Sequence, residues 1–361
     1  MQTIRAAVCR ENNAPLTIEE VQLRAPETGE VEVEIEAVAI CHSDISFWQG
    51  GFGGSLPAVY GHEAAGTVTK VGDGVVGIKE GDSVCVTLIH ACGHCTTCQS
   101  GKPTICETPV DNVATSPISD AEGAPVYKAM ATGAFAEKVV VDQSQLCVIP
   151  ADMAKDVASL ISCGVITGVG AAVFAADIEV GQDVVVIGAG GVGLNAIQGA
   201  KIAGARRVVA VDMLPEKLEV AKEFGATDVV LAEGKPWAEV KKILGGGADA
   251  VLVTVGVAQV YDQAPRYLGW GGKVVMVGMP HGDKTSSYSP LIMANQGQGI
   301  VGSKMGDMVI KRDIPWIIDM YQQGRLKLDE LISGRWTLDQ INEAMEDTKS
   351  GAARRNVIMM K

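Results

Sequence analysis

A branched run, VVVIG, leads directly into GAGGVG, so Gly188, Gly190 and Gly193 stand in G-x-G-x-x-G spacing between a strand and a helical span. The first glycine lets the strand turn, and the second admits a pyrophosphate to the backbone. The third lets the helix sit close to the sheet, its free N–H groups facing the phosphates. The pattern alone is a weak signal. Here the next branched run, RVVAVD, ends at Asp212, whose carboxylate can accept hydrogen bonds from both hydroxyls of an adenosine ribose and repel a 2′-phosphate. Met213 follows, and not arginine. The pattern therefore predicts NAD rather than NADP, with Lys217 a second candidate at the ribose edge.

This motif fixes the character of its surroundings. VVVIG, RVVAVD, TDVVL, ADAVLVTV and KVVMVG alternate with helix-like LPEKLEVAKEFG and KPWAEVKKILGG, which implies a doubly wound parallel sheet with helices on both faces. The stretch before it has another rhythm. VEVEIEAVAI, HEAAGTVTKVG, DSVCVTLI and AFAEKVVV, broken by glycine and proline turns, read as a twisted and largely antiparallel β domain. Later, Thr337 with Gln340 forms a plausible capping box. The final RRNVIMM is strand-like with no partner in a completed α/β unit, so it should return to the first domain. The expected divisions of the 361 residues are 1–153, 154–297 and 298–361.

A formal charge of −13 with no dense basic stretch argues against nucleic acid and anionic membrane as partners. VASLISCGVITGVGAAVFAA, residues 157–176, is uncharged and long enough to span a bilayer. Its glycines and the nucleotide motif just after it favour a buried segment. MQTIRAAVCRENN lacks the apolar core of a secretory signal. Nine cysteines, clustered rather than scattered, then suggest a reducing compartment, the cytoplasm.

Four of those cysteines lie in CGHCTTCQSGKPTIC. Cys92, Cys95, Cys98 and Cys106 can close tetrahedrally around one Zn²⁺ and leave no open position, which makes the expected site structural. An iron–sulphur cluster is the competing occupant. His94 is expected on the solvent side. Other candidate ligands are dispersed: Cys41 and His42 in AICHSD, His62 and Glu63 in YGHEAAG, and Cys163 in ISCGVITG. Spacing does not join Cys41, His62 and Cys163, and by itself Cys163 reads as a buried core thiol, as do Cys9, Cys85 and Cys147.

GHEAAGTVTKVGDGV, the cysteine loop, GAGGVG and GSKMGDMVIKRDIPWIIDMYQQGRLKLDELIS together resemble the zinc-containing medium-chain dehydrogenase/reductase family, in its alcohol dehydrogenase branch. The resemblance runs from about residue 5 to the end. It implies an α/β chain: a GroES-like β-rich catalytic domain plus a Rossmann domain. It also implies two zinc ions per chain, one structural and one catalytic, the latter held by Cys41, His62 and Cys163 with one position open. Asp44 would orient the liganding imidazole, and Glu63 would lie behind the metal. Ser43 would hydrogen-bond the substrate oxygen and carry its proton toward the NAD ribose. Many relatives pass that proton to a histidine, where this chain has Ser46.

The resemblance further assigns His42, Thr167, Gly191, Val192, Val277 and Arg355 to the cofactor, with Arg354 an alternative to Arg355. Trp48, Phe52 and Leu88 would line an apolar pocket suited to a primary aliphatic or aromatic alcohol, oxidised reversibly to the aldehyde. A homodimer or homotetramer is expected. The alternative substrate is S-(hydroxymethyl)glutathione, because the segment 107–135 resembles that branch in length. Its two carboxylates would meet only Lys128 there. A non-catalytic binding scaffold is the remote alternative.

Overall fold

The valine-rich runs pair because branched side chains pack well on a pleated surface. The computed structural model describes residues 1–360 and divides into two units, residues 1–163 with 309 onward, and residues 164–308. Strands of the first unit are β1 (Gln2–Cys9), β2 (Thr17–Leu23), β3 (Glu30–Ala39), β4 (Ala58–Val59), β5 (Glu63–Val71), β6 (Ser83–Val86), β7 (Ile118–Ser119), β8 (Tyr127–Lys128), β9 (Lys138–Asp142) and β10 (Leu146–Val148). The second unit holds β11 (Asp183–Ile187), β12 (Arg207–Asp212), β13 (Asp228–Leu231), β14 (Ala248–Val253), β15 (Leu268–Met276) and β16 (Gly299–Gly302). The chain returns to the first unit with β17 (Ile332–Thr337) and β18 (Arg355–Met359).

In the first unit one sheet runs β7-β2-β1-β4-β8 and another β10-β6-β5-β3-β18-β17, with β9 also on β3. Their apolar faces enclose one core that includes Val8, Val33, Ile35, Phe135 and Leu146. The final strand pairs antiparallel with β3, Val357 opposite Ala39. On β3's other side Ala39 faces Glu63. These two registers bring the residues just past the end of β3 level with His62 and Arg355. The β-rich first unit is the GroES-like part of the fold.

The second unit is a six-stranded sheet in the order β13-β12-β11-β14-β15-β16, parallel at every pairing. Sequence order reverses about β11, where a doubly wound, Rossmann-type sheet opens its ligand crevice. All of the uncharged run but Ala176 lies within the helix Lys155–Ala175, which is long and apolar enough to cross a membrane, but 83% of its 18-residue window is buried inside the protein. Its apolar surface is therefore covered by the protein's own packing.

Candidate metal centres and dinucleotide turn

Cys41 follows the end of β3 in an extended conformation and begins the helix His42–Trp48. Asp44, fully buried, fastens this start: its carboxylate accepts the Cys41 N–H at 3.0 Å and the Gly61 N–H at 3.0 Å, and lies 3.2 Å from His62 Nδ1. With Nδ1 directed at Asp44, Nε2 is the nitrogen left for a metal, and Ser43 Oγ lies 3.3 Å from it. Gly61 has φ +89°, and a Cβ there would come within 2.7 Å of the Phe135 backbone nitrogen, so this approach requires glycine.

Cys163 sits in a π-helical turn, Ile161–Val165, inside the long helix. Such turns mark functional positions in helices, and here Ser162 Oγ ties the turn to β5 by donating to the Ala64 carbonyl at 2.8 Å. The ligand atoms of Cys41, His62, Glu63 and Cys163 all lie within 4.8 Å of one another. Two thiolates and an imidazole make an open zinc set. Glu63 is fully buried. Its Oε2 pairs with Arg355, and its Oε1 has no hydrogen-bond partner among the described residues, an unsatisfied acceptor that a nearby cation would relieve. The residues present therefore fit a divalent ion.

The charge state fits as well. The Cys163 hydrogen bond holds the Cys41 thiol well below its ordinary 9.0, against the opposing effect of burial and with help from His62. Burial pulls His62 down, but the charge and hydrogen bond of Asp44 and the Cys41 thiolate together raise it to about 10 from 6.5. Both shifts run toward a thiolate–imidazolium pair. Because the folded value is raised, the stability gained from that proton is fully present below pH 6.5 and is lost as pH rises through about 10. A metal competes with the same proton, so affinity should climb with pH across this window. At pH 8, calorimetry in buffers of different ionisation enthalpy should show proton release on metal binding, the His62 proton included. No proton release would count against this ligand set.

The second cluster is the cysteine loop, whose four sulfurs also lie within 4.8 Å of one another. Cys92 N–H points at Cys106 Sγ at 3.4 Å and Cys95 N–H at Cys92 Sγ at 3.3 Å, donors that stabilise thiolates. The Thr97 hydroxyl, 3.2 Å from Cys95 Sγ, contributes most to lowering that thiol to about 5, and the Thr108 hydroxyl lowers Cys92 to about 7. Desolvation pushes Cys98 the other way, to about 12, with help from the neighbouring Cys95 and Cys106 sulfurs. This set closes on itself, as a structural zinc site does.

In the second unit, the turn after β11 leads into the helix Gly191–Ala203. Gly188 has φ +99°, and a Cβ on Gly193 would lie 1.8 Å from the Gly188 carbonyl oxygen. A Cβ on Gly190 would meet nothing within 4 Å among the described residues. The first and third glycines thus serve the fold, while the second faces open space of the kind a pyrophosphate needs. Asp212 accepts the Ala189 N–H at 2.7 Å and the Leu214 N–H at 3.0 Å, one bond per oxygen, which leaves lone pairs for ribose hydroxyls. Met213 beside it is exposed, Lys217 and Val277 are half-buried, and Thr167 is buried with its hydroxyl 3.8 Å from Met305 Sδ.

One expected assignment needs revision. Trp48, read as a pocket residue, is 7% exposed in the hydrophobic core, its indole N–H donating to the Ala14 carbonyl at 2.7 Å. Five residues after Ser43, it lies about 140° around the helix from it and so faces away. Arg355, expected at the pyrophosphate, is buried and paired with Glu63, and Arg354 donates to the Glu330 carbonyl at 2.9 Å. The β18–β3 register produces the Arg355 pair, and no local sequence signal announces it. Phe52 and Leu88 are half-buried, Phe52 edge-on to Phe47 at 5.4 Å, and His42 is exposed.

Residues 27–151 match the alcohol dehydrogenase GroES-like domain and residues 191–323 the zinc-binding dehydrogenase domain. An NDMA-dependent alcohol dehydrogenase of Amycolatopsis methanolica is 35% identical, over 98% of this chain and 98% of its own. Among solved structures, an alcohol dehydrogenase zinc-binding domain protein from Burkholderia ambifaria superposes with a TM-score of 0.95 at 32% identity, covering 100% of this chain and 99% of that one. Benzyl alcohol dehydrogenase from Acinetobacter calcoaceticus gives 0.94 at 30%, covering 100% of both. With two metal clusters and a dinucleotide turn in place, the chain belongs to the zinc-binding alcohol dehydrogenase family and is a zinc- and NAD-dependent oxidoreductase of small alcohols and aldehydes.

Proposed function

We propose that the substrates are primary aliphatic and aromatic alcohols, oxidised reversibly to aldehydes at the Cys41–His62–Cys163 centre of the first unit, while the second unit holds NAD. The observation that carries this reading is the convergence of those three ligand atoms beside the Ser43 hydroxyl. Zinc held by Cys41, His62 and Cys163 supplies Lewis acidity, which makes a hydroxyl easier to deprotonate. NAD held by the second unit would accept the hydride, and the chain's own groups handle the proton. Ser43 receives the alcohol's proton at Oγ and passes it on. Ser46, three residues later on the same helix face, cannot store a proton at neutral pH, so the relay ends in water or another group. Asp44 keeps the imidazole aimed, and Glu63 holds negative charge behind the centre. Phe52 and Leu88 give the alcohol's carbon chain an apolar wall.

In the second unit Gly188, Gly190 and Gly193 shape the pyrophosphate turn, the N–H groups of Gly191 and Val192 face the phosphates, and Asp212 receives the ribose hydroxyls. Lys217, Thr167 and Val277 complete the cofactor contacts. The benzyl alcohol dehydrogenase among the neighbours supports an aromatic substrate.

The glutathione adduct is the weaker reading. Lys128, the cation of the segment that would meet its carboxylates, is 5% exposed, and burial lowers its pKa. A side-by-side assay decides: kcat/KM for benzyl alcohol should exceed that for S-(hydroxymethyl)glutathione by about a hundredfold, the cost of roughly two unmatched charges. The reverse order would overturn the choice of substrate, and turnover of neither would favour a binding scaffold. Including NDMA in the assay tests whether the dependence in the relative's name holds for this chain too.

The protein is a cytoplasmic homodimer or homotetramer in this reading. None of the nine cysteines, all among the described residues, is in a disulfide, as suits a reducing compartment. The terminal strand β16 and its neighbours expose Met276, Leu291, Ile292, Ile300 and Val301, an apolar edge suited to a second copy.

A further inference from the structure

The helix His42–Trp48 has seven residues, too few to be stable alone, yet it carries Ser43 and Asp44. Asp44 fixes its start. Its end is held by a different set of contacts, three of which meet at Trp48. The indole N–H donates to the Ala14 carbonyl at 2.7 Å, and the Trp48 carbonyl accepts the Asn13 N–H at 3.0 Å. Lys349 Nζ, from the helix Ile341–Ser350, lies 5.1 Å from the indole centroid. That helix also grips the same turn, because the Asn342 amide exchanges hydrogen bonds with the Leu16 N–H at 2.8 Å and its carbonyl at 2.9 Å. Asn356 of β18, next to Arg355, donates to Asp347 of that helix at 2.7 Å.

We propose that Trp48 is a positioning residue for the alcohol chemistry: through it the turn at residues 12–14 and the helix Ile341–Ser350 hold the ligand helix, and with it the Ser43 hydroxyl, at a fixed reach from His62. The observations separate this from simple core filling. A volume-filling side chain needs no directed hydrogen bond and no cation over its face, whereas Trp48 has both, each to a different segment. The three segments lie far apart in sequence, so the reach of Ser43 is set by contacts distant from the reacting atoms. This rests on the reading of Ser43 as the proton-carrying hydroxyl.

The test uses the full-length, zinc-loaded protein and its Trp48→Phe variant, which keeps a ring but loses the indole N–H, with Ser43→Ala and Lys349→Met beside it. In Trp48→Phe, amide exchange across residues 42–50 should quicken by about tenfold. Turnover of ethanol and of benzyl alcohol should fall together by about tenfold, since small misplacements of a reacting group are costly. The solvent deuterium isotope effect on kcat should rise while zinc content stays constant, which a mere loss of folded protein would not produce. Wild-type exchange and turnover would overturn the proposal. So would an altered preference between the two alcohols with unchanged exchange, which would return Trp48 to the substrate pocket. If Trp48→Phe does not fold, Lys349→Met decides: exchange over residues 42–50 should rise by about twofold, and no rise overturns the proposal. Ser43→Ala tests the underlying reading separately, since wild-type turnover there would refute Ser43's role while the exchange measurement still judged Trp48.

Discussion

Replacing Cys163 by serine is expected to lower turnover by at least about a thousandfold and to leave one zinc ion per chain in place of two. Serine is nearly isosteric, so the π-helical turn and its Ser162–Ala64 tie should survive. What is lost is a thiolate. A serine hydroxyl is neutral at working pH and a poor partner for an ion that favours soft sulfur, so the open centre should empty while the closed four-sulfur loop keeps its ion. Metal counting and steady-state kinetics on one preparation provide the check. Cys95→Ser should do the opposite to the metal. It removes a thiolate from the cysteine loop, so folding or assembly should loosen, with activity lost as a consequence. A Cys163→Ser protein that held two ions and turned over normally would refute the assignment of the open centre.

The second large effect concerns Arg355. Replacing it by methionine should destabilise the first unit by about 3–5 kcal/mol, because the fully buried Glu63 would lose its cationic partner and its other oxygen already lacks one. Adding Glu63→Gln should recover most of that loss, since a neutral amide tolerates burial better than a lone carboxylate. Urea denaturation of the wild type, both single variants and the double variant forms a thermodynamic cycle. Additive losses in that cycle would show the pair to be uncoupled. The pair also bears on the metal: with Arg355 gone, Glu63's full charge faces the centre, so zinc should be held more tightly even as the fold weakens.

Legibility of the site in the sequence followed the range of its contacts. The cysteine loop and the glycine turn are local. Their residues are neighbours in the chain, and their chemistry dictates the backbone around them, down to the positive φ of Gly188. The parallel sheet followed from its βα rhythm in the same way. The open centre is non-local: Cys41 and His62 meet because Ala39 pairs with Glu63, and Cys163 arrives on a helix whose composition alone looked like core or membrane. Only family resemblance joined them beforehand. The pairing of Arg355 with Glu63 escaped notice because it depends on a register between the last strand and β3. Trp48 was misplaced for a simpler reason: proximity in sequence to a ligand says nothing about side, and a helix turns successive residues through about 100° each.

The central claim is that Cys41, His62 and Cys163 hold one ion with an exchangeable position, separate from the ion of the cysteine loop. Zinc-edge anomalous diffraction from crystals of an active preparation addresses it directly. Two peaks per chain are predicted, one among four sulfurs and one bounded by two sulfurs and His62 Nε2. A fully active protein showing a single peak, at the cysteine loop, would contradict the account.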